Sequence, residues 1–102
     1  NGQVFADTLP QQDKFTVRFK GSINTGQAIE FENVLQSALL SGKDVIINGA
    51  EIRYLSMSAI ARLLTFQAQL EQKQNELLLK DFPAKIITLL RLSSVLQRFK
   101  LI

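Results

Sequence analysis

Residues 44–64 read DVIINGAEIRYLSMSAIARLL, and their order decides the fold. The opening run, Asp44-Val45-Ile46-Ile47-Asn48, is short and β-branched, which predicts a central strand covered on both faces. Gly49 to Ser56 predicts a loop carrying Ile52 and Tyr54. From Met57 the apolar spacing becomes helical and continues to about Gln72. Ile60, Leu63, Leu64, Gln67 and Ala68 mark one face of that helix, with Leu70 at its margin. Phe66 interrupts the stripe, which predicts a partly exposed ring and a candidate binding patch.

The flanks repeat the alternation. Upstream, Phe15 to Lys20 alternates apolar and polar residues, the period of a half-buried strand, and Gly21 ends it. Val4 and Phe5 fit an edge strand, and Pro10 to Asp13 reads as a turn, so the first two strands should be antiparallel. Asn24 or Thr25 suits a helix N-cap, after which Ala28, Ile29, Phe31, Val34, Leu35, Ala38 and Leu39 recur at helical spacing. Ser41-Gly42 stops this helix, with Gly42 suited to the left-handed cap. Downstream, Lys73-Gln74-Asn75 breaks the pattern and Glu76 to Lys80 is a second buried-strand candidate. Pro83 fits the first turn of a helix whose apolar side is Ile86, Ile87, Leu89, Leu90 and Leu92. Ser93-Ser94 ends it, and a last strand lies around Arg98 to Leu101. The order is β-β-α-β-α-β-α-β. This is an α/β fold with a mixed sheet of about five strands and three helices on one or both faces.

Composition narrows the chemistry. The 102 residues suffice for one domain around one core. Cysteine and histidine are both absent. Disulfides and thiolate metal sites are excluded, as are the commonest general base and the commonest metal ligand. Glu30 and Glu32 point different ways on their helix, and Glu71 and Glu76 flank a helix end, so neither pair forms an acid/base site. Gly21 and Gly26 do not make a phosphate loop. The reading is of a protein that is not an enzyme and uses no cofactor or metal. The net charge of +3 is modest. The basic residues Lys80, Lys85, Arg91, Arg98 and Lys100 read as a solvated surface rather than a nucleic-acid site. No run approaches the ~18 apolar residues needed to cross a bilayer, so membrane insertion is not expected and a cytoplasmic location is.

Three stretches carry a resemblance to a known family. They are the strand ending in Gly21-Ser22-Ile23-Asn24-Thr25, the segment Ile52 to Leu64, and the ending that follows Pro83 through Leu92-Ser93-Ser94-Val95-Leu96. Together they resemble the STAS domain of bacterial anti-sigma-factor antagonists, over nearly all of residues 15–102. The resemblance implies a single STAS-like domain over residues 1–102, with 1–12 as a leader or edge strand and no closing C-terminal helix. It implies a signalling role in transcription regulation through binding another protein, an anti-sigma factor or its kinase. In phospho-switched members a serine follows an aspartate at the start of the second helix and accepts phosphate. Here the aspartate position is Ser56 and the phosphoserine position is Met57, which cannot be phosphorylated. The next hydroxyl is kept as Ser58, the glycine is Ala59, and an earlier aspartate is Asn24. The switch is therefore expected to be lost, unless a one-residue slip makes Ser58 or Ser56 the acceptor.

The candidate partner-binding residues are Asn24, Tyr54, Ser56, Met57, Ser58, Ala59, Ile60 and Arg62. Each has a plainer reading. Asn24 and Ser56 are good N-caps, worth ~1 kcal/mol each. Met57 is either an exposed apolar contact or a gap-filler turned inward. Ile60 belongs either to the core or to the partner face, and Arg62 reads as solvated. A second functional reading is a STAS subunit or regulatory domain of a membrane transport system, either a lipid-transport ATPase or an anion transporter. A third is a stacking component of a larger assembly, with a homodimer as its simplest form.

Overall fold

The computed structural model describes residues 5–10 and 14–102. Val4 and the Gln11–Asp13 part of the expected turn lie outside them. Strand β1 (Phe5–Pro10) pairs antiparallel with β2 (Lys14–Ile23). A 3-10 turn (Thr25–Gln27) leads into α1 (Ala28–Leu40), followed by β3 (Asp44–Leu55) and α2 (Met57–Gln72). Then come β4 (Leu77–Lys80), α3 (Ala84–Leu92), a second 3-10 turn (Leu96–Arg98) and β5 (Lys100–Leu101). The five-stranded sheet runs in chain order, and β2 to β5 are mutually parallel. Among the described residues no helix is long and apolar enough to cross a membrane.

In a sheet whose parallel strands follow chain order, each right-handed crossover steps the same way, which places every helix on one face. The core agrees. Val17, Phe19, Val45, Ile47, Leu77 and Leu79 from alternate strand positions join Phe31, Leu35, Leu63, Phe66, Ile86 and Leu90 from all three helices in one buried cluster. The rings of Phe19 and Phe31 tie β2 to α1, with centroids 4.8 Å apart and tilted. Such a pair adds about 0.5–1.5 kcal/mol to the burial itself. Ile46 points to the other face, in register with Thr16 and Leu78. All three are buried, but no helix among the described residues belongs to that side. Both faces of residues 45–47 are therefore buried, as the apolar run predicts, with the helices on one of them.

Residues 49–55 are strand, not loop. Strand β3 runs on to Leu55 beside β2, with register shifts between Arg18 and Lys20 and between Gly21 and Ser22. Each irregularity turns the side chains out of simple alternation. Gly49, Ile52 and Leu55 are buried while Glu51, Arg53 and Tyr54 are exposed, a period of three that does not read as a strand. Gly21 sits at one shift with φ 89, a conformation that glycine adopts without strain, so β2 passes through it rather than ending there.

The helix α2 has the expected limits but a rotated inner face. Ala59, Ile60, Leu63, Phe66 and Leu70 are buried, whereas Leu64, Gln67 and Ala68 are half-buried. Phe66 is 1% exposed and belongs to the core, so it is not a binding patch. At the far edge β5 is shorter than expected because Leu96–Arg98 coils into a 3-10 turn. Lys100 Nζ lies 2.8 Å from Glu76 Oε2, and that hydrogen bond, with the carboxylate's charge, holds the ammonium above the usual lysine range.

Gly49 has no room for a side chain. A Cβ built there would lie 2.6 Å from two carbons of the Phe82 ring, which packs against the core from the segment between β4 and α3. Gly49→Ala should destabilise the domain by about 1–3 kcal/mol through overpacking. In a Phe82→Ala background the same change should cost close to nothing. Urea unfolding of the four proteins of this cycle measures the difference.

Candidate functional site

The site is built where β2 and β3 end together. Ile23 stands opposite Leu55, and the Ser56 N–H donates to the Ile23 carbonyl oxygen at 2.9 Å. The residues that follow, Asn24 and Met57, therefore start α1's leading turn and α2 side by side. Asn24 is extended and its N–H donates to Gln27 Oε1 at 3.1 Å, while the Gln27 N–H returns to the Asn24 carbonyl at 2.9 Å. Ser56 is also extended, and its hydroxyl oxygen accepts the Ala59 N–H at 3.1 Å. Ser56 is thus a true N-cap, buried to 7% exposure.

Beyond the cap the helix sorts the candidates. Met57 is 64% exposed, the outward alternative of its two readings. Tyr54 is exposed at 46% and Asn24 is exposed. Ser58 is half-buried. Ala59 and Ile60 turn onto the sheet and are buried, because the first turn of α2 rotates these two positions inward. Neither side chain is available to a partner, and Ser56 presents little beyond its backbone. Arg62, read as solvated, is a corrected case. Its guanidinium pairs with Glu32 of α1 and is one-third exposed. Gln36 Nε2 donates to Gln69 Oε1 at 3.0 Å further along the same two helices. Between these bridges lies a groove of about 240 Å³ that Ser58 and Arg62 line one helical turn apart.

The structure adds neighbours that the sequence did not single out. The Ser93 hydroxyl donates to the Leu89 carbonyl oxygen at 2.9 Å and lies 3.8 Å from Met57 Sδ. The end of α3 therefore meets the start of α2. Leu92, which adjoins Ser93, is 77% exposed. Ile29, in the first turn of α1, is exposed at 67% although its spacing had placed it on the apolar face. The first turn of α2 carries no acidic residue. The positive end of its dipole is therefore not neutralised by its own helix. Chemically the arrangement offers an apolar tip with a polar surround at a capped helix N-terminus that carries no acidic residue of its own. Among the described residues no group of three metal-ligating side chains gathers anywhere.

Ser56→Ala should cost about 1 kcal/mol of stability, because the Ala59 N–H loses its acceptor. Ser56→Asp should keep most of that stability. Equilibrium urea unfolding of both variants checks the cap.

Comparison with known proteins gives the same fold. An anti-sigma factor antagonist from Mycobacterium paratuberculosis superposes with a TM-score of 0.87 at 12% identity, covering 98% of this chain and 86% of that one. The anti-sigma factor antagonist SpoIIAA in its unphosphorylated form gives 0.73 at 11% identity, covering 98% and 87%. The Bacillus cell fate determinant SpoIIAA in the phosphorylated form gives 0.71 at 12% identity, covering 98% and 91%. No curated protein sequence matches the chain. The family model described as "STAS domain" matches residues 7–102, nearly the whole chain, and the chain belongs to the STAS domain family.

Proposed function

We propose that this domain binds a protein partner of the anti-sigma-factor type through the first turn of α2, and that it does so without a phosphate switch at residue 57. The observation that carries the reading is Met57. It is the first residue of α2, it stands 64% exposed beside a rigid cap, and it has no hydroxyl. Family membership and the solved relatives named as anti-sigma factor antagonists support the class of partner.

The physical mechanism is competitive docking. A small apolar centre that excludes water, ringed by polar groups, is the usual anatomy of a binding hot spot. Met57 supplies such a centre, with exposed Leu92 next to its Ser93 neighbour and Tyr54 three residues before it. Asn24, Ser58 and Ser93 supply polar groups around it. A phosphorylated serine in the first turn would add nearly two negative charges and desolvation cost to that centre. A thioether adds neither, so the surface stays permanently competent. The proposed activity is binding rather than catalysis, in keeping with a chain that contains no histidine or cysteine.

Ser58→Glu tests the surface with little risk to folding, since an acidic side chain is favoured in the first turn of a helix. Affinity for an anti-sigma factor, measured by calorimetry, should fall by at least about tenfold, or 1.4 kcal/mol. Unchanged affinity removes this turn from the interface. Incubation of the unsubstituted chain with an anti-sigma kinase and ATP, followed by mass spectrometry, should return the unmodified mass. A phosphate mapped to Ser56 or Ser58 contradicts the switch-free reading.

A further inference from the structure

A second surface lies where the bulged part of β3 meets the start of α3. Lys20, Glu51, Arg53, Pro83 and Lys85 line an open recess of about 300 Å³ there. Lys20 stands opposite Glu51 in the β2–β3 register. Glu51 lies 3.9 Å from Lys20 Nζ and also 3.9 Å from Arg18 Nε, so one half-exposed carboxylate is shared between two cations. Such exposed pairs hold their members weakly. Arg53 and Lys85 are exposed and make no ion pair among the described residues. No side chain caps the N-terminus of α3 at Pro83, so its positive dipole end adds to the same field. Three cations thus face one carboxylate that is already engaged. Ala50, Ile52 and Pro83 complete the lining between these charged groups.

We propose that this recess takes a carboxylate-bearing segment of the protein partner, as a second contact beside the α2 turn. The proposal rests on the reading of the chain as a protein-binding module. Arg53 directly precedes exposed Tyr54, so the recess adjoins the proposed docking segment along the chain. An acidic peptide fits better than a nucleic acid. Glu51 inside the recess repels a doubly charged phosphate more than a single carboxylate, and the cations form a pocket rather than a track along which a phosphate backbone could lie. Complementary charge of this kind sets the register and speeds the encounter more than it adds raw affinity.

The test uses the whole chain, labelled with nitrogen-15, and three probes: hexaglutamate, inorganic phosphate and hexathymidylate. Hexaglutamate should shift the amides of Lys20, Ala50 to Arg53, Ala84 and Lys85 saturably, and salt should weaken it. Arg53→Glu and Lys85→Glu, both at exposed positions, should each raise the apparent Kd about tenfold, while the matched charge reversal Lys73→Glu, at the opposite end of α2 from Met57, leaves it unchanged. Shifts spread evenly over all surface lysines, or indifferent to Arg53→Glu and Lys85→Glu, overturn the proposal. So does phosphate or hexathymidylate moving the same amides at lower concentration than hexaglutamate. The two readings fail separately. Loss of the recess leaves the effect of Ser58→Glu on partner affinity intact, whereas an inert Ser58→Glu removes the α2 turn without altering where hexaglutamate maps.

Discussion

The backbone hydrogen bond from Ser56 to Ile23 governs the rest of the arrangement. It closes the β2–β3 pairing at the last residue of each strand, where Ile23 faces Leu55. Its net worth is only about 0.5–1.5 kcal/mol. Its positional effect is larger, because both helices that follow must then begin from adjacent points on one sheet edge. The Glu32–Arg62 pair and the Gln36–Gln69 hydrogen bond continue the alignment down the two helices. The Ser56 hydroxyl then fixes the direction of α2 by satisfying the Ala59 N–H. Met57 is left no inward course, and its side chain stands in solvent.

Much of the fold was legible because its signals are local. The limits of α2 follow from a capping serine and a sustained helical period, and both ends stand where the pattern put them. The strand at Leu77–Lys80 follows from a short apolar run between breakers. The second half of β3 was not legible. Two register shifts break the period-two alternation, and Gly49, Ile52 and Leu55 turn inward at intervals of three. Phe66 was misplaced for a related reason. Helical spacing allows more than one stripe on α2, and only packing on the sheet selects Ala59, Ile60, Leu63, Phe66 and Leu70. The burial of Val45, Ile46 and Ile47 on both faces was legible as an apolar run, but such a run does not say that the helices lie on one face alone.

The site divides along the same line. The caps Asn24 and Ser56, and the exposed Met57 at the head of a helix, come from residue types at element boundaries. The contacts between elements do not. Met57 meets Ser93 across 36 residues and Arg62 meets Glu32 across 30. Arg62 looked solvated in isolation because its partner lies on a different helix. The charges of Lys20, Arg53 and Lys85 come from three separate elements, and only the bulged sheet brings them around one recess.

The account therefore describes a rigid α/β scaffold that holds one apolar residue out at the head of α2. The chain contains no cysteine, so a single Met57→Cys substitution creates a unique reporter there. Its reaction with a thiol reagent, followed with and without a bound anti-sigma factor, measures the central claim directly. The free chain should react as fast as an unstructured peptide thiol, and the complex should be protected many-fold. A thiol equally reactive in both states, or one inert in the free chain, would contradict it.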